Sequence, residues 1–215
     1  MLHPLSWDEP WLMLCLTLST LVGITVHELG HALAATVHGD PTARARGHLT
    51  LNPWVPMGRW SLLLLALTGV GWGATPLGED LQRRPRALAL VCVAGPLANL
   101  LLALLAMGLF TLGARWWMAA GGTADDLDTY LDLPFSQALQ VLSLANLFIG
   151  VANLLPIPPL DGGRLLATSL PGLRRFEAWD GSLVVAVVLV VGLSLLPPAH
   201  EFVFHVHDGL LWLWA

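Results

Sequence analysis

Four stretches of this 215-residue chain are apolar enough to lie inside a lipid bilayer, at residues 11–38, 87–113, 136–158 and 182–196. A fifth apolar stretch, at 57–72, is shorter and interrupted by glycines. A backbone surrounded by hydrocarbon must satisfy its own hydrogen bonds, so membrane-spanning segments of this kind fold as helices. The composition agrees, because 55% of the residues are hydrophobic and only 12% are charged. The sequence therefore predicts an all-α membrane protein with a polytopic helix bundle.

The length suits a single domain covering residues 1–215. We expect the core of this domain at about 11–170, with a C-terminal span and tail at 180–215.

Two histidines and a glutamate lie inside the first apolar stretch, where residues 27–31 read His-Glu-Leu-Gly-His. On a helix, His27 and His31 share one face, so both imidazoles can reach the same metal ion. Glu28 can then serve as a general base toward water. Ionisable groups are costly in hydrocarbon, and their presence there indicates a functional site. The pattern is typical of a zinc hydrolase, and the alternative is a histidine pair hydrogen-bonded within the bundle.

Asp161 is the expected third metal ligand, since zinc in hydrolases commonly takes three protein ligands and leaves one position open. His27 lies roughly 24 Å along its helix from Trp11, and the third apolar stretch brings Asp161 to a similar depth. The prolines at 156, 158 and 159 unwind the end of that stretch. Gly162 and Gly163 allow a close backbone approach or a positive φ beside the carboxylate. The alternative is that Asp161 caps the following helix.

The distribution of arginine predicts the topology. Arginines occur in segments 40–59, 73–86 and 161–180, whereas the connection 114–135 is acidic. By the positive-inside rule, the arginine-bearing segments are cytoplasmic. The arginine distribution agrees better with this rule if 57–72 enters the membrane and returns on the same side. The alternative is that 57–72 is an ordinary fifth span. We therefore expect a multi-pass protein of the cell membrane, with a re-entrant segment and the active site toward the cytoplasm.

The chain resembles the site-2 protease family of intramembrane zinc metalloproteases, in its compact branch without a PDZ domain. The resemblance rests on the motif at 27–31, on Ala-Gly-Pro-Leu-Ala-Asn at 94–99 and on the Asn-to-Gly stretch at 153–163, supported by residues 39–53. It implies zinc binding by His27, His31 and Asp161, with Glu28 as the general base. It also implies that Asn153 orients substrate or stabilises the oxyanion and that Asn99 lines the site. The sequence departs from the family pattern at 54–58 and 71–76, where substrate handling is expected to differ.

The implied activity is hydrolysis of peptide bonds in or near transmembrane segments, with one zinc ion per chain. The partners would be a transmembrane protein or peptide substrate and the lipid bilayer. A helical substrate hides its carbonyls in hydrogen bonds and has to unwind before attack. We expect short β-strands to be allowed in the re-entrant region, where an exposed edge at 49–51 could pair with the unwound substrate.

Two other functions fit some of these features. The chain could be a catalytically silent membrane-protein-binding homologue, although the intact Glu28 argues against this. It could also be a metal-ion transporter, but residues 11–26 offer only threonine and serine as polar groups along the rest of the helix. Further histidines at 38, 48, 200, 205 and 207 are read as interfacial or solvated rather than as ligands.

Overall fold

The computed structural model describes residues 10–121 and 129–170, which form helices joined by short connections. The helices are α1 (Pro10–Val37), α2 (Thr42–Ala45), α3 (Trp54–Thr68), α4 (Glu79–Gln82), α5 (Pro85–Ala119), α6 (Pro134–Asn153) and α7 (Asp161–Ser169). The predicted all-α class is confirmed. The predicted fourth span at 182–196, the tail and the acidic positions 125–128 lie outside the described residues.

Three of the described helices, α1, α5 and α6, are long and apolar enough to cross a membrane, with 28, 35 and 20 residues. The helices α5 and α6 begin at Pro85 and Pro134, a favourable position because the N–H that proline lacks would have no helical partner there. The third span ends at Asn153, earlier than the predicted 158. Pro156 explains this difference, since it cannot donate the hydrogen bond that would extend the helix.

Close packing of the three long helices depends on small residues. A Cβ on Gly30 of α1 would lie 2.7 Å from the carbonyl oxygen of Ala94 on α5, and one on Gly150 of α6 would lie 3.1 Å from that of Pro96. Small residues at such positions let two helix backbones approach each other closely. This matters in a membrane, because helices associate there through packing and hydrogen bonds rather than through the hydrophobic effect. Large apolar side chains cover the outside of the bundle, as contact with lipid requires; examples are Leu18, Leu33, Leu101, Leu105 and Leu112.

The segment 57–72 follows a hairpin path. Helix α3 is interrupted at Gly58, which has φ 67°, and ends at Gly69 in the left-handed conformation with φ 74°. The chain then runs back along the same helix, because Trp72 N donates to Ser61 Oγ (2.8 Å) and Ala74 N donates to the carbonyl of Pro56 (3.0 Å). The 15 residues of α3 fall short of the roughly 20 that a spanning helix needs. The hairpin path is the one expected of a re-entrant segment.

Asp40 connects the segment that precedes α3 with the segment that follows the hairpin. Its carboxylate accepts hydrogen bonds from the backbone N–H of Gly78 (2.7 Å) and of Thr42 (2.9 Å). Nearby, a guanidinium nitrogen of Arg84 donates to the carbonyl of His38 (3.0 Å). Burial alone would raise the pKa of Asp40, but the hydrogen bonds from Thr42 and Gly78 outweigh it and lower that pKa below its usual value. The segments before and after α3 therefore lie at the same end of the bundle.

The expected strand edge at 49–51 is absent from the described part of the chain. These residues form bends, and side chains satisfy the local backbone, with Asn52 N donating to Thr50 Oγ1 (3.1 Å) and Trp54 N donating to Asn52 Oδ1 (3.1 Å). Such local bonds from threonine and asparagine compete with strand pairing. The expected strand at this position is therefore wrong, and of the three residues Leu51 is exposed whereas Leu49 and Thr50 are half-buried.

The turns between α6 and α7 bring Asp161 back toward the bundle. Neither Gly162 nor Gly163 has a positive φ, so conformational freedom does not explain them. Instead, a Cβ on Gly163 would lie 2.5 Å from the backbone nitrogen of Pro158, and one on Gly162 would collide with the carbonyl of Leu154. Of the two roles considered for this glycine pair, the structure therefore supports close backbone approach.

Candidate active site

His27, His31 and Asp161 converge in the interior of the bundle. His27 Nε2 lies 2.9 Å from Asp161 Oδ2, His31 Nε2 lies 3.1 Å from the same oxygen, and the two Nε2 atoms are 3.0 Å apart. All three side chains are buried. One turn of α1 supplies the two imidazoles, as the four-residue spacing predicts, and the first residue of α7 supplies the carboxylate.

The three groups fit a zinc ion by their chemistry and spacing. Two imidazoles and a carboxylate are a common donor set for catalytic zinc, and their donor atoms lie within 4.8 Å of one another. Donor atoms about 2.1 Å from a tetrahedral zinc are about 3.4 Å apart, so these atoms would separate by about half an ångström or less. Asp161 is the first residue of α7, one position past the N-cap Leu160, and its carboxylate contacts the two histidines, so this position does not favour the helix-cap alternative.

Each histidine is held through the ring nitrogen that faces away from this centre. His31 Nδ1 lies 2.7 Å from the carbonyl oxygen of Val91, and His27 Nδ1 lies 2.6 Å from Asn99 Oδ1. Both partners belong to α5, which runs antiparallel to α1. Such partners orient a metal-binding imidazole and select which nitrogen carries the proton. Helix α5 therefore determines the direction in which both Nε2 atoms point.

Asn99 lies behind His27 and is completely buried. Besides the contact with His27, its Nδ2 donates to the carbonyl of Gly23 (3.0 Å) and to Asn146 Oδ1 (2.8 Å). An amide group with its bonding capacity used in this way is suited to hold His27 rather than to bind a substrate. The sequence analysis predicted that Asn99 lines the site, but it did not predict that Asn99 contacts His27.

Asn153, the second predicted polar residue, is the last residue of α6 and is half-buried. Its Nδ2 donates to the carbonyl of Ile149 on the same helix (2.9 Å). The amide thus lies where the helix gives way to the proline-rich turns that lead to Asp161. Its suggested contact with substrate stays a prediction.

Glu28 is buried beside the histidines and is held by the returning leg of the hairpin. Thr75 Oγ1 lies 2.6 Å from Glu28 Oε2 and 3.0 Å from the main-chain oxygen of Glu28. Gly73 packs so closely that a Cβ there would lie 2.5 Å from Glu28 Cγ. Sequence reasoning missed Thr75, and the only signal was its place in the Gly-Trp-Gly-Ala-Thr-Pro segment, whose partner cannot be read from local spacing.

We expect Thr75→Val to lower the turnover number about tenfold without loss of zinc, because it removes one hydrogen bond that orients Glu28, the expected general base. The measurement is cleavage of a membrane peptide together with zinc content. Thr36→Val is the matched control, since the Thr36 hydroxyl donates only to the carbonyl of Ala32 on its own helix (2.8 Å). Equal loss of activity in the two variants would contradict a specific role for Thr75.

Gly95 of α5 leaves the space that the metal centre needs. A Cβ at this position would lie 2.8 Å from His27 Nε2 and closer still to His31 Nε2, within the region where a metal ion would bind. Gly95 thus lies directly against the Nε2 atoms of both imidazoles only because it has no side chain. This explains in physical terms the glycine of the Ala-Gly-Pro-Leu-Ala-Asn motif.

The remaining described histidines do not join the centre. His27, His31 and Asp161 are the only described residues that meet as a group of three potential metal ligands. His38 lies beyond the end of α1, and His48 is half-buried in the connection to α3. The histidines at 200, 205 and 207 lie outside the described residues.

Comparison with known proteins shows the family to which the chain belongs. The family described as Peptidase family M50 matches residues 15–196. The chain is 36% identical over 194 residues to "Putative zinc metalloprotease YwhC" of Bacillus subtilis, covering 88% of this chain and 83% of that protein. It is 36% identical over 181 residues to "Putative zinc metalloprotease Rip2" of Mycolicibacterium smegmatis, covering 79% of this chain and 64% of that protein. The protein of the same name from Mycobacterium tuberculosis is 32% identical over 196 residues, covering 86% and 68% of the two chains.

Among solved structures, none matches the chain. The family match, in contrast, begins within the first long helix and continues past the last described one. The resemblance noted in the sequence is therefore confirmed, and the chain belongs to peptidase family M50, the family of the site-2 proteases.

Proposed function

We propose that this intramembrane zinc metalloprotease uses His27, His31 and Asp161 to hold one zinc ion and Glu28 as its general base. Its substrates are peptide bonds in or beside the transmembrane segments of membrane proteins. The observation that carries the proposal is the convergence of three buried donor atoms, all within 4.8 Å of one another, next to a buried glutamate. Buried ionisable groups between membrane helices are retained for function, because they are costly there.

The reaction follows from the position of each group. A zinc ion held by His27, His31 and Asp161 would supply Lewis acidity at this site and would lower the pKa of a bound water molecule to about 7. Glu28 removes the proton as the water oxygen attacks the peptide carbonyl, and it returns that proton to the leaving amine. Thr75 keeps the Glu28 carboxylate directed during both transfers. Asn153, at the end of α6, is the candidate donor to the developing oxyanion once its amide turns away from Ile149.

The substrate has to present an unwound segment, since carbonyls in an intact helix are hydrogen-bonded and shielded. Single-span proteins such as membrane-tethered regulators or signal-peptide remnants would meet this requirement, as the family resemblance suggests. The bends at 49–51 supply no strand for pairing, so the hairpin itself, with Gly73 and Thr75 beside Glu28, is the segment closest to the chemistry.

A metal-transport function has no comparable support. A transit path needs polar groups that continue along the membrane helix, but the hydroxyls of Thr17 and Thr25 on α1 donate to the carbonyls of Met13 and Leu21 within the same helix. A silent homologue would have no need of a hydrogen-bonded glutamate beside the metal site.

The proposal is tested by removing the metal. Purified protein in lipid vesicles should cleave a transmembrane peptide that contains a helix-destabilising segment, and a zinc chelator should stop this cleavage. Adding zinc back should restore it, because His27, His31 and Asp161 would hold the ion again. Undiminished cleavage in protein shown to be free of metal would refute the proposal.

The active site is proposed to face the cytoplasm, since the arginine-bearing segments flank the hairpin at that end. Single cysteines replacing Arg44 and Arg84 should both react with an impermeant thiol reagent from the cytoplasmic side. Asp126→Cys should react only from the opposite side. The native Cys15 and Cys92 are buried and should contribute little background. Labelling of positions 44 and 84 from opposite sides would contradict the re-entrant path.

A further inference from the structure

A chain of buried amides connects α6 with the first histidine of the metal centre. Asn146 Oδ1 accepts a hydrogen bond from Asn99 Nδ2 (2.8 Å), and Asn99 Oδ1 lies 2.6 Å from His27 Nδ1. Both asparagines have no exposed surface. We propose that Asn146 is a positioning residue that fixes the orientation of the Asn99 amide, and thereby the tautomer in which His27 offers Nε2 to the metal. The inference rests on the assignment of His27 as a zinc ligand.

The two histidines differ in how their tautomers are selected. The partner of His31 Nδ1 is the backbone carbonyl of Val91, which can only accept, so Nδ1 of His31 must carry the proton. The partner of His27 is a side-chain amide, which can present either its oxygen or its NH2 group. If Asn99 presented its NH2 group, Nδ1 of His27 would have to accept, and the proton would reside on Nε2. That nitrogen could then offer no lone pair to a metal ion.

Two acceptors behind Asn99 determine which end faces His27. Its NH2 group lies between the carbonyl of Gly23 (3.0 Å) and Asn146 Oδ1 (2.8 Å). Rotating the amide by half a turn would bring its oxygen against both of these oxygens and would cost both hydrogen bonds. Since the site is completely buried, water is not at hand to replace them, and unsatisfied polar groups are expensive there.

The orientation of Asn146 is fixed in turn by its own helix. Its Nδ2 donates to the carbonyl of Leu142 (2.8 Å), an acceptor that cannot change its character. Oδ1 of Asn146 is therefore the atom available to Asn99. Gly23 allows this arrangement, because a Cβ there would lie 2.6 Å from Asn146 Oδ1. The backbone carbonyl on α6 thus fixes the orientation of the Asn146 amide. Asn146 fixes the orientation of the Asn99 amide, and Asn99 in turn fixes the tautomer of the imidazole on α1.

The test is zinc affinity, measured by competition with a chromophoric chelator. Asn146→Leu, which keeps a similar volume but removes the acceptor, should weaken zinc binding about tenfold, at the low end of the range for residues that support metal ligands. Asn146→Asp keeps an acceptor toward Asn99 and should bind zinc more tightly than Asn146→Leu. Excess zinc should restore cleavage by Asn146→Leu, a recovery that a merely structural defect would not give.

Ser143→Ala is the matched control, because Ser143 also ties α6 to α5, through a hydrogen bond to the carbonyl of Ala103 (3.1 Å), but does not contact Asn99. It should leave zinc affinity unchanged. If Asn146→Leu does not fold, Gly23→Ala tests the same relay by displacing the Asn146 amide, and it too should weaken zinc binding.

A double-substitution cycle distinguishes the relay from a separate effect of Asn146. In protein already carrying Asn99→Leu, adding Asn146→Leu should change zinc affinity by less than about twofold, since the intermediary is gone. A full tenfold effect in that background, or no effect of Asn146→Leu in the native chain, would overturn the relay. Zinc retained at full affinity by His27→Ala would instead overturn the assignment of the ligand, which is a different failure.

Discussion

Glu28→Gln is expected to lower peptide cleavage about 10³-fold while leaving about one zinc ion bound per chain. The amide has nearly the shape of the carboxylate and can still accept a hydrogen bond from Thr75, but it cannot take a proton from water at neutral pH. The three proposed zinc ligands are untouched by the change. The measurements are the rate of cleavage of a membrane peptide and the zinc content of the same preparation.

Glu79→Gln provides the control for this variant. Glu79 is an exposed acid on α4 that pairs with Arg83 (3.3 Å), and its replacement should leave both zinc content and cleavage unchanged. Full activity of Glu28→Gln would remove Glu28 from the reaction. Loss of zinc from Glu28→Gln would show that the glutamate takes part in binding the metal.

Gly95→Ala is expected to abolish zinc binding and, with it, activity, although only one methyl group is added. That methyl would lie 2.8 Å from His27 Nε2 and nearer to His31 Nε2, so it would occupy the side from which both nitrogens face the metal. Relief by a backbone shift is restricted, because α1 and α5 already approach closely at Gly30. Metal analysis of the purified variant, together with its thermal stability, is the measurement.

Gly108→Ala is the matched control on the same helix. A Cβ at Gly108 would meet nothing within 4 Å, so this substitution should keep zinc and activity and should add about 1 kcal/mol of helix propensity. If Gly95→Ala bound zinc as tightly as the native chain, the position of the metal between these residues would be wrong.

The parts of the site that could be predicted from the sequence are those governed by local geometry. His27 and His31 meet because four residues make about one helical turn. The prolines before Asp161 predict the end of a helix, because proline cannot continue one. The hairpin at 57–72 was indicated by its short length and by arginines on both sides. For the histidine pair and for the helix end, the pattern and its consequence lie within a few residues of each other, whereas the hairpin needed the charge pattern of the segments on both sides.

The supporting contacts could not be predicted in this way. Thr75 meets Glu28 across 47 residues of chain, and Asn146 meets Asn99 across the same separation. Such pairs depend on how the helices cross, which hydrophobic periodicity does not specify. The strand expected at 49–51 failed for a different reason: threonine and asparagine side chains there satisfy the backbone locally, and this competes with an extended conformation.

The separation of the proposed zinc ligands along the chain has a consequence for biosynthesis. His27 and Asp161 are 134 residues apart, with the hairpin and two long helices between them. At translation rates of about 5–20 residues per second, the histidines would wait roughly 7 to 27 seconds before the carboxylate is made. During that interval the nascent chain has the base but lacks a complete ligand set. Cleavage would therefore have to wait until the hairpin, α5 and α6 have all been made, because the proposed ligand set is completed only at Asp161.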